Sequence, residues 1–95
     1  MYIYTVYVKW KEKAKERGPE FFMETWFPQH DEVCERYGVK LLRWGLPMGV
    51  SEDHVYIYET PIEAKTFMDF KGEVSSFEGE LLWEYSRTQI AVVPE

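Results

Sequence analysis

From Tyr2 to Trp10 the chain is dense in Tyr, Val, Ile and Thr, residue types that favour strands. Alternation sends Tyr4, Val6 and Val8 to one side and Ile3, Thr5 and Tyr7 to the other. Both sides are largely apolar, which predicts a strand covered on both faces. Residues 11–17 are charged and lead, as a solvated connection, into Gly18-Pro19. Pro19 suits the first turn of a helix, where its missing N–H costs nothing, and Glu20 suits the positive end of the helix dipole. Phe22, Trp26, Val33 and Tyr37 then form a helical stripe, with His30 on the same side. Pro28 interrupts it and predicts a kink, or two helical pieces meeting near Phe27. Gly38 is the expected C-terminal stop.

Val39 to Leu46 reads as a second strand, and Gly45, Pro47 and Gly49 punctuate an exposed connection running to about Asp53. His54 to Glu59 reads as a third strand with two unlike faces: Val55 and Ile57 on one, His54, Tyr56 and Tyr58 on the other. Thr60-Pro61-Ile62-Glu63 has the pattern of a capping box with Pro at the first helical position. It predicts a second helix running to about Val74. Glu78-Gly79 marks a turn, and Leu81 to Val93 a long last strand that Pro94 ends. The order predicts one α+β domain over residues 1–95, ferredoxin-like β-α-β-β-α-β, with a four-stranded antiparallel sheet carrying two helices on one face.

Two helices hide one face of such a sheet. If Val55 and Ile57 meet the helices, the free face carries the aromatic residues, and an apolar patch of several hundred Å² marks a partner or a ligand. A second copy of the sheet would bury it in a closed pair. The expectation is therefore a homodimer enclosing a partly closed cavity, with Thr88 to Val93 reaching toward the neighbouring subunit.

Composition narrows the function. The chain has 95 residues, enough for one domain, and is rich in aromatics, with four Trp, seven Tyr and six Phe. A net charge of −6 argues against a nucleic-acid binder, which needs a basic footprint. Cys34 is the lone cysteine, so no intrachain disulfide forms. No signal peptide opens the sequence and no apolar run approaches the roughly 20 residues of a membrane span, so the cytoplasm is the expected location. Abundant Glu with no Asn and two Gln is a composition seen in heat-adapted proteins.

The strand–helix order, a Trp-Phe-Pro-Gln-His stretch (Trp26 to His30) and Tyr37-Gly38-Val39-Lys40-Leu41-Leu42 entering the second strand together resemble the dimeric α/β-barrel superfamily. That superfamily includes small antibiotic-biosynthesis monooxygenases, stress-responsive barrel proteins, polyketide cyclases, EthD-like proteins and haem-degrading enzymes. The aromatic-then-His stretch is similar to that of EthD-like members. The resemblance implies a small, largely apolar or aromatic organic ligand and cofactor-independent monooxygenase, cyclase or isomerase chemistry. Haem-degrading members use an Asn with a His and a Trp, and the absence of Asn here departs from that pattern.

His30 and His54 are the candidate proton-transfer groups, since imidazole titrates near neutrality. Against this stands a structural reading of each, His30 at the edge of the core and His54 in a polar loop end. Tyr7, Trp44, Tyr56, Tyr58, Trp83 and Tyr85 are candidate aromatic walls of a ligand cavity, and Arg43, paired with Glu84, a candidate lining charge. The alternative is that these rings only pack a non-catalytic, structural homodimer. Cys34, four residues after His30, reads foremost as a buried structural thiol. No His/Cys spacing fits a metal centre, and no cofactor is called for.

Overall fold

The computed structural model describes residues 1–94. The elements are β1 (Tyr2–Trp10), a short α1 (Glu12–Lys15), α2 (Gly18–Glu20), a π-helical segment (Phe21–Trp26), α3 (Phe27–Tyr37), β2 (Lys40–Gly45), β3 (His54–Thr60), α4 (Ala64–Val74), β4 (Ser76–Phe77), β5 (Glu80–Leu81) and β6 (Trp83–Val92). The four long strands form one antiparallel sheet in the order β2-β3-β1-β6, and β4 and β5 form a separate hairpin. No helix among the described residues is long and apolar enough to cross a membrane.

The solvated connection expected over residues 11–17 contains a helical turn instead, α1, whose Ala14 is buried. Two helical registers do meet at Phe27, as Pro28 requires. In an α-helix the Pro28 ring would strike the carbonyl of Glu24. The chain winds that stretch as a wider π-helix, with Phe27 N–H donating to the Phe22 carbonyl, five residues back. Gly38 ends α3 at φ +68°, a left-handed conformation that glycine adopts without strain.

The faces of the sheet are the reverse of the expectation. Tyr4, Val6, Val8 and Trp10 of β1, and Tyr56 and Tyr58 of β3, lie under the helices at 0–6 % exposure. Tyr4 stacks on Phe67 of α4 at 3.8 Å between centroids, and Tyr58 meets Phe70 edge-on. Val55 and Ile57 lie on the other face, where Val55 pairs with Tyr7 and Ile57 with Thr5. Aromatic rings bury more area than Val or Ile, and their polar tips here have dedicated partners. Tyr4 Oη donates to the Ile62 carbonyl (2.8 Å) and Trp26 Nε1 to the Val74 carbonyl (2.8 Å). Trp83 Nε1 alone, among described side chains, is buried without a partner.

The open face is mixed rather than aromatic. Ile3, Tyr7, Val55 and Ile57 are half-buried at its centre, with Lys40, Arg43, Glu59, Arg87 and Gln89 around them. The 46–53 loop folds over one end. There Glu52, only 7 % exposed, accepts hydrogen bonds from Arg87 Nε and Nη2 and from Tyr85 Oη.

Thr60 does not cap α4. The helix starts at Ala64 with Glu63 in the N-cap position, its side chain making no capping bond. Thr60 is buried, donates from Oγ1 to the Gly38 carbonyl (2.8 Å) and accepts from the Ile62 N–H (3.3 Å), tying the end of β3 to the end of α3.

Candidate functional site

A cavity of about 390 Å³ opens where the π-helical segment crosses the end of the sheet. Phe22 and Met23 of that segment form one wall, Ala14, Lys15 and Pro19 another, and Trp10, Trp44, Asp53 and His54 the sheet side. The volume is that of a small-ligand site, and the mostly apolar lining with few polar groups fits one as well. The local sequence builds it. Pro28 forces the π turn, which carries Phe22 over the ends of β1 and β3. The Phe22 ring lies 4.8 Å from His54, 5.3 Å from Trp44 and 5.7 Å from Trp10 between centroids. Trp44, 38 % exposed, forms the rim.

His54 is the polar centre of the cavity. Its Nδ1 accepts the Trp10 indole N–H at 2.8 Å and lies 2.9 Å from Tyr56 Oη. Burial lowers its pKa, and the nearby Lys15 ammonium adds to this against the opposing pull of Asp53. Burial raises the Tyr56 phenol, so the hydroxyl stays protonated. Burial also tends to raise the Asp53 carboxyl, yet the Trp10 backbone N–H (3.0 Å) and Lys15 (3.3 Å) hold it below its ordinary value. Lys15 and Asp53 thus meet the cavity as a compensated ion pair.

The other histidine is enclosed. His30 is fully buried, with Nε2 2.8 Å from Tyr58 Oη and Nδ1 3.1 Å from the Asp31 carboxylate. Burial lowers its pKa against the pull of Asp31. Cys34 Sγ sits 3.6 Å from His30 Nε2, and burial pushes that thiol up to about 12. His30 does not line the cavity.

Of the residues expected to carry the site, the fold brings His54 and Trp44 together at the cavity, with Tyr56 directly behind His54. Trp83 lies one ring further back, 6.2 Å from Trp10, and Tyr58 belongs with His30. Tyr7, Arg43 and Tyr85 are on the opposite face of the sheet. Tyr7 lies beneath the Arg87 guanidinium, 4.1 Å from its ring centroid. Arg43 and Glu84 cannot pair, because β2 and β6 are the two edges of the sheet with β3 and β1 between them. Trp10, Phe22, Met23 and Lys15 complete the cavity lining although no sequence motif marks them. Trp10 continues the Tyr4-Val6-Val8 alternation, and that phase was the available signal. No family model matches this sequence, and neither does any curated protein.

Proposed function

We propose that this chain is a ferredoxin-like domain that binds a small, largely apolar or aromatic organic molecule in the cavity beneath Phe22. The strand order β2-β3-β1-β6 with both long helices on one face supports the fold reading. The observation that carries the binding reading is an aromatic cavity of ligand size with one histidine at its polar centre. The ligand sits between sheet and helices, not between the sheets of two subunits. Trp10 and Trp44 line the cavity, so a bound aromatic compound alters tryptophan fluorescence. The test is a fluorescence titration with 2-acetylnaphthalene. A saturable change in the native chain, weakened at least about fivefold by Trp44→Ala, supports the reading, as loss of one stacked aromatic wall is worth about 1–3 kcal/mol by analogy with base–aromatic stacking. No saturable change counts against it.

A homodimer through the open face is the second reading, favoured by the half-buried centre of Ile3, Tyr7, Val55 and Ile57. It is compatible with the first, since each subunit keeps its own cavity. A monomer at tens of micromolar in sedimentation equilibrium removes it. In a dimer, Ile57→Lys would shift the equilibrium to monomer.

A further inference from the structure

The ligand class follows from a single hydrogen bond. Resting on the cavity reading above, we infer that the cavity selects an aryl carbonyl compound, whose oxygen accepts a hydrogen bond from Nε2–H of His54.

An indole N–H donates and never accepts. With Trp10 Nε1 at 2.8 Å from His54 Nδ1, that nitrogen holds a lone pair. The neutral ring therefore carries its proton on Nε2, whatever the orientation of the Tyr56 hydroxyl, which can donate to the same lone pair. Nε2 has no protein partner among the described residues, and it is not among the buried atoms left without one. The imidazole thus offers the cavity one N–H donor and no acceptor.

This arrangement opposes the expected use of His54 as a base. For Nε2 to take a proton from a neutral-ring start, Nδ1 would have to carry the hydrogen, setting two N–H donors, His54 and Trp10, against each other. Doubly protonated imidazole meets the same clash, and the burial of the ring opposes it further. A group that only donates selects a ligand that accepts.

The rest of the cavity narrows the choice. Phe22 and Trp44 supply flat apolar walls, which suit an aromatic body. Asp53 pairs with Lys9 (3.7 Å) and Lys15 (3.3 Å), and Lys15 also with Glu12 (3.3 Å), so the two ammonium groups are matched by two carboxylates and no spare cation compensates a buried anion. A neutral carbonyl on an aromatic ring satisfies both conditions.

Two measurements test this. In the native chain, 15N NMR of the histidines should find Nδ1 of His54 unprotonated and Nε2 protonated between pH 6 and 8. A proton on Nδ1 overturns the inference. In the second, 2-acetylnaphthalene is compared with 2-isopropenylnaphthalene, which replaces the carbonyl oxygen by CH₂. His54→Phe should weaken the ketone about five- to tenfold, the worth of one net hydrogen bond, and leave the hydrocarbon unchanged or tighter. Equal effects on both overturn the carbonyl assignment while leaving the cavity reading intact. Binding of neither compound by the native chain removes the cavity reading and this inference with it. Should His54→Phe fail to fold, the 15N measurement decides alone.

Discussion

Arg87 grips Glu52 through two nitrogens, Nε at 3.1 Å and Nη2 at 3.0 Å, and so fastens the 46–53 loop to β6. The Tyr85 hydroxyl adds a third bond at 2.8 Å. The Arg87 hydrogen bonds, then that of Tyr85, hold the carboxyl down to about 2. A carboxyl whose pKa is depressed in the folded state stabilises the fold above its unfolded pKa, and that contribution fades as pH falls through the folded value. Native chain and Glu52→Gln should therefore differ most in urea midpoint at pH 6–7, begin to converge below pH 4.5, and come together only once the pH is below the folded value. A gap independent of pH would mean the carboxylate is not held by Arg87.

Tyr58 and His30 form a second pair, fully buried under α3. Tyr58→Phe leaves His30 Nε2 with only the weakly bonding Cys34 Sγ at 3.6 Å and should cost about 1–3 kcal/mol in chemical denaturation, the usual penalty for stranding a buried polar group. The cavity does not include these residues, so affinity for 2-acetylnaphthalene should not change. A drop in affinity with unchanged stability would relocate the site to His30.

Thr60 joins the ends of β3 and α3, so Thr60→Val, which keeps the shape and loses the hydroxyl, should cost about 1 kcal/mol. Circular dichroism should find the helix content unchanged, because α4 begins at Ala64 without help from Thr60. Loss of helix signal would restore the capping role read from the Thr60-Pro61-Ile62-Glu63 pattern.

Cys34 should resist alkylation by iodoacetamide at pH 8 in the folded chain and react once urea unfolds it. Thiolate is the reactive form, and burial pushes this thiol up to about 12. Rapid native-state labelling would mean that the His30–Cys34 region opens to solvent.

Much of the architecture was legible because local signals agreed with the tertiary solution. Alternation along Tyr2–Trp10, the stop at Gly38 and the turn at Glu78-Gly79 each lie where the structure has them. Which face of β3 meets the helices was not legible. Both faces are apolar, and only the helix partners, Phe67 and Phe70 with the hydrogen-bonding His30, decide in favour of the tyrosines. One such reversal carries a whole strand with it. That is why Tyr56 and Tyr58, expected toward a subunit interface, lie in the core.

The cavity was hidden for a related reason. His54 and Trp44 were visible as candidates, but their neighbours Trp10 and Phe22 come from segments far away in the chain. The π turn that brings Phe22 over them depends on Pro28, whose effect on winding cannot be read from periodicity. The Thr60 pattern misled because the same hydroxyl found a closer acceptor at Gly38.

The four methionines report on different parts of the surface: Met23 lines the cavity, Met48 is 92 % exposed in the 46–53 loop, Met68 borders the groove between α4 and β6, and Met1 precedes β1. Methyl NMR of chain labelled with [ε-13C]methionine, titrated with 2-acetylnaphthalene, separates them. The Met23 methyl should shift saturably, with the other three nearly still. An unmoved Met23, whether the others shift or not, would contradict a ligand site beneath Phe22.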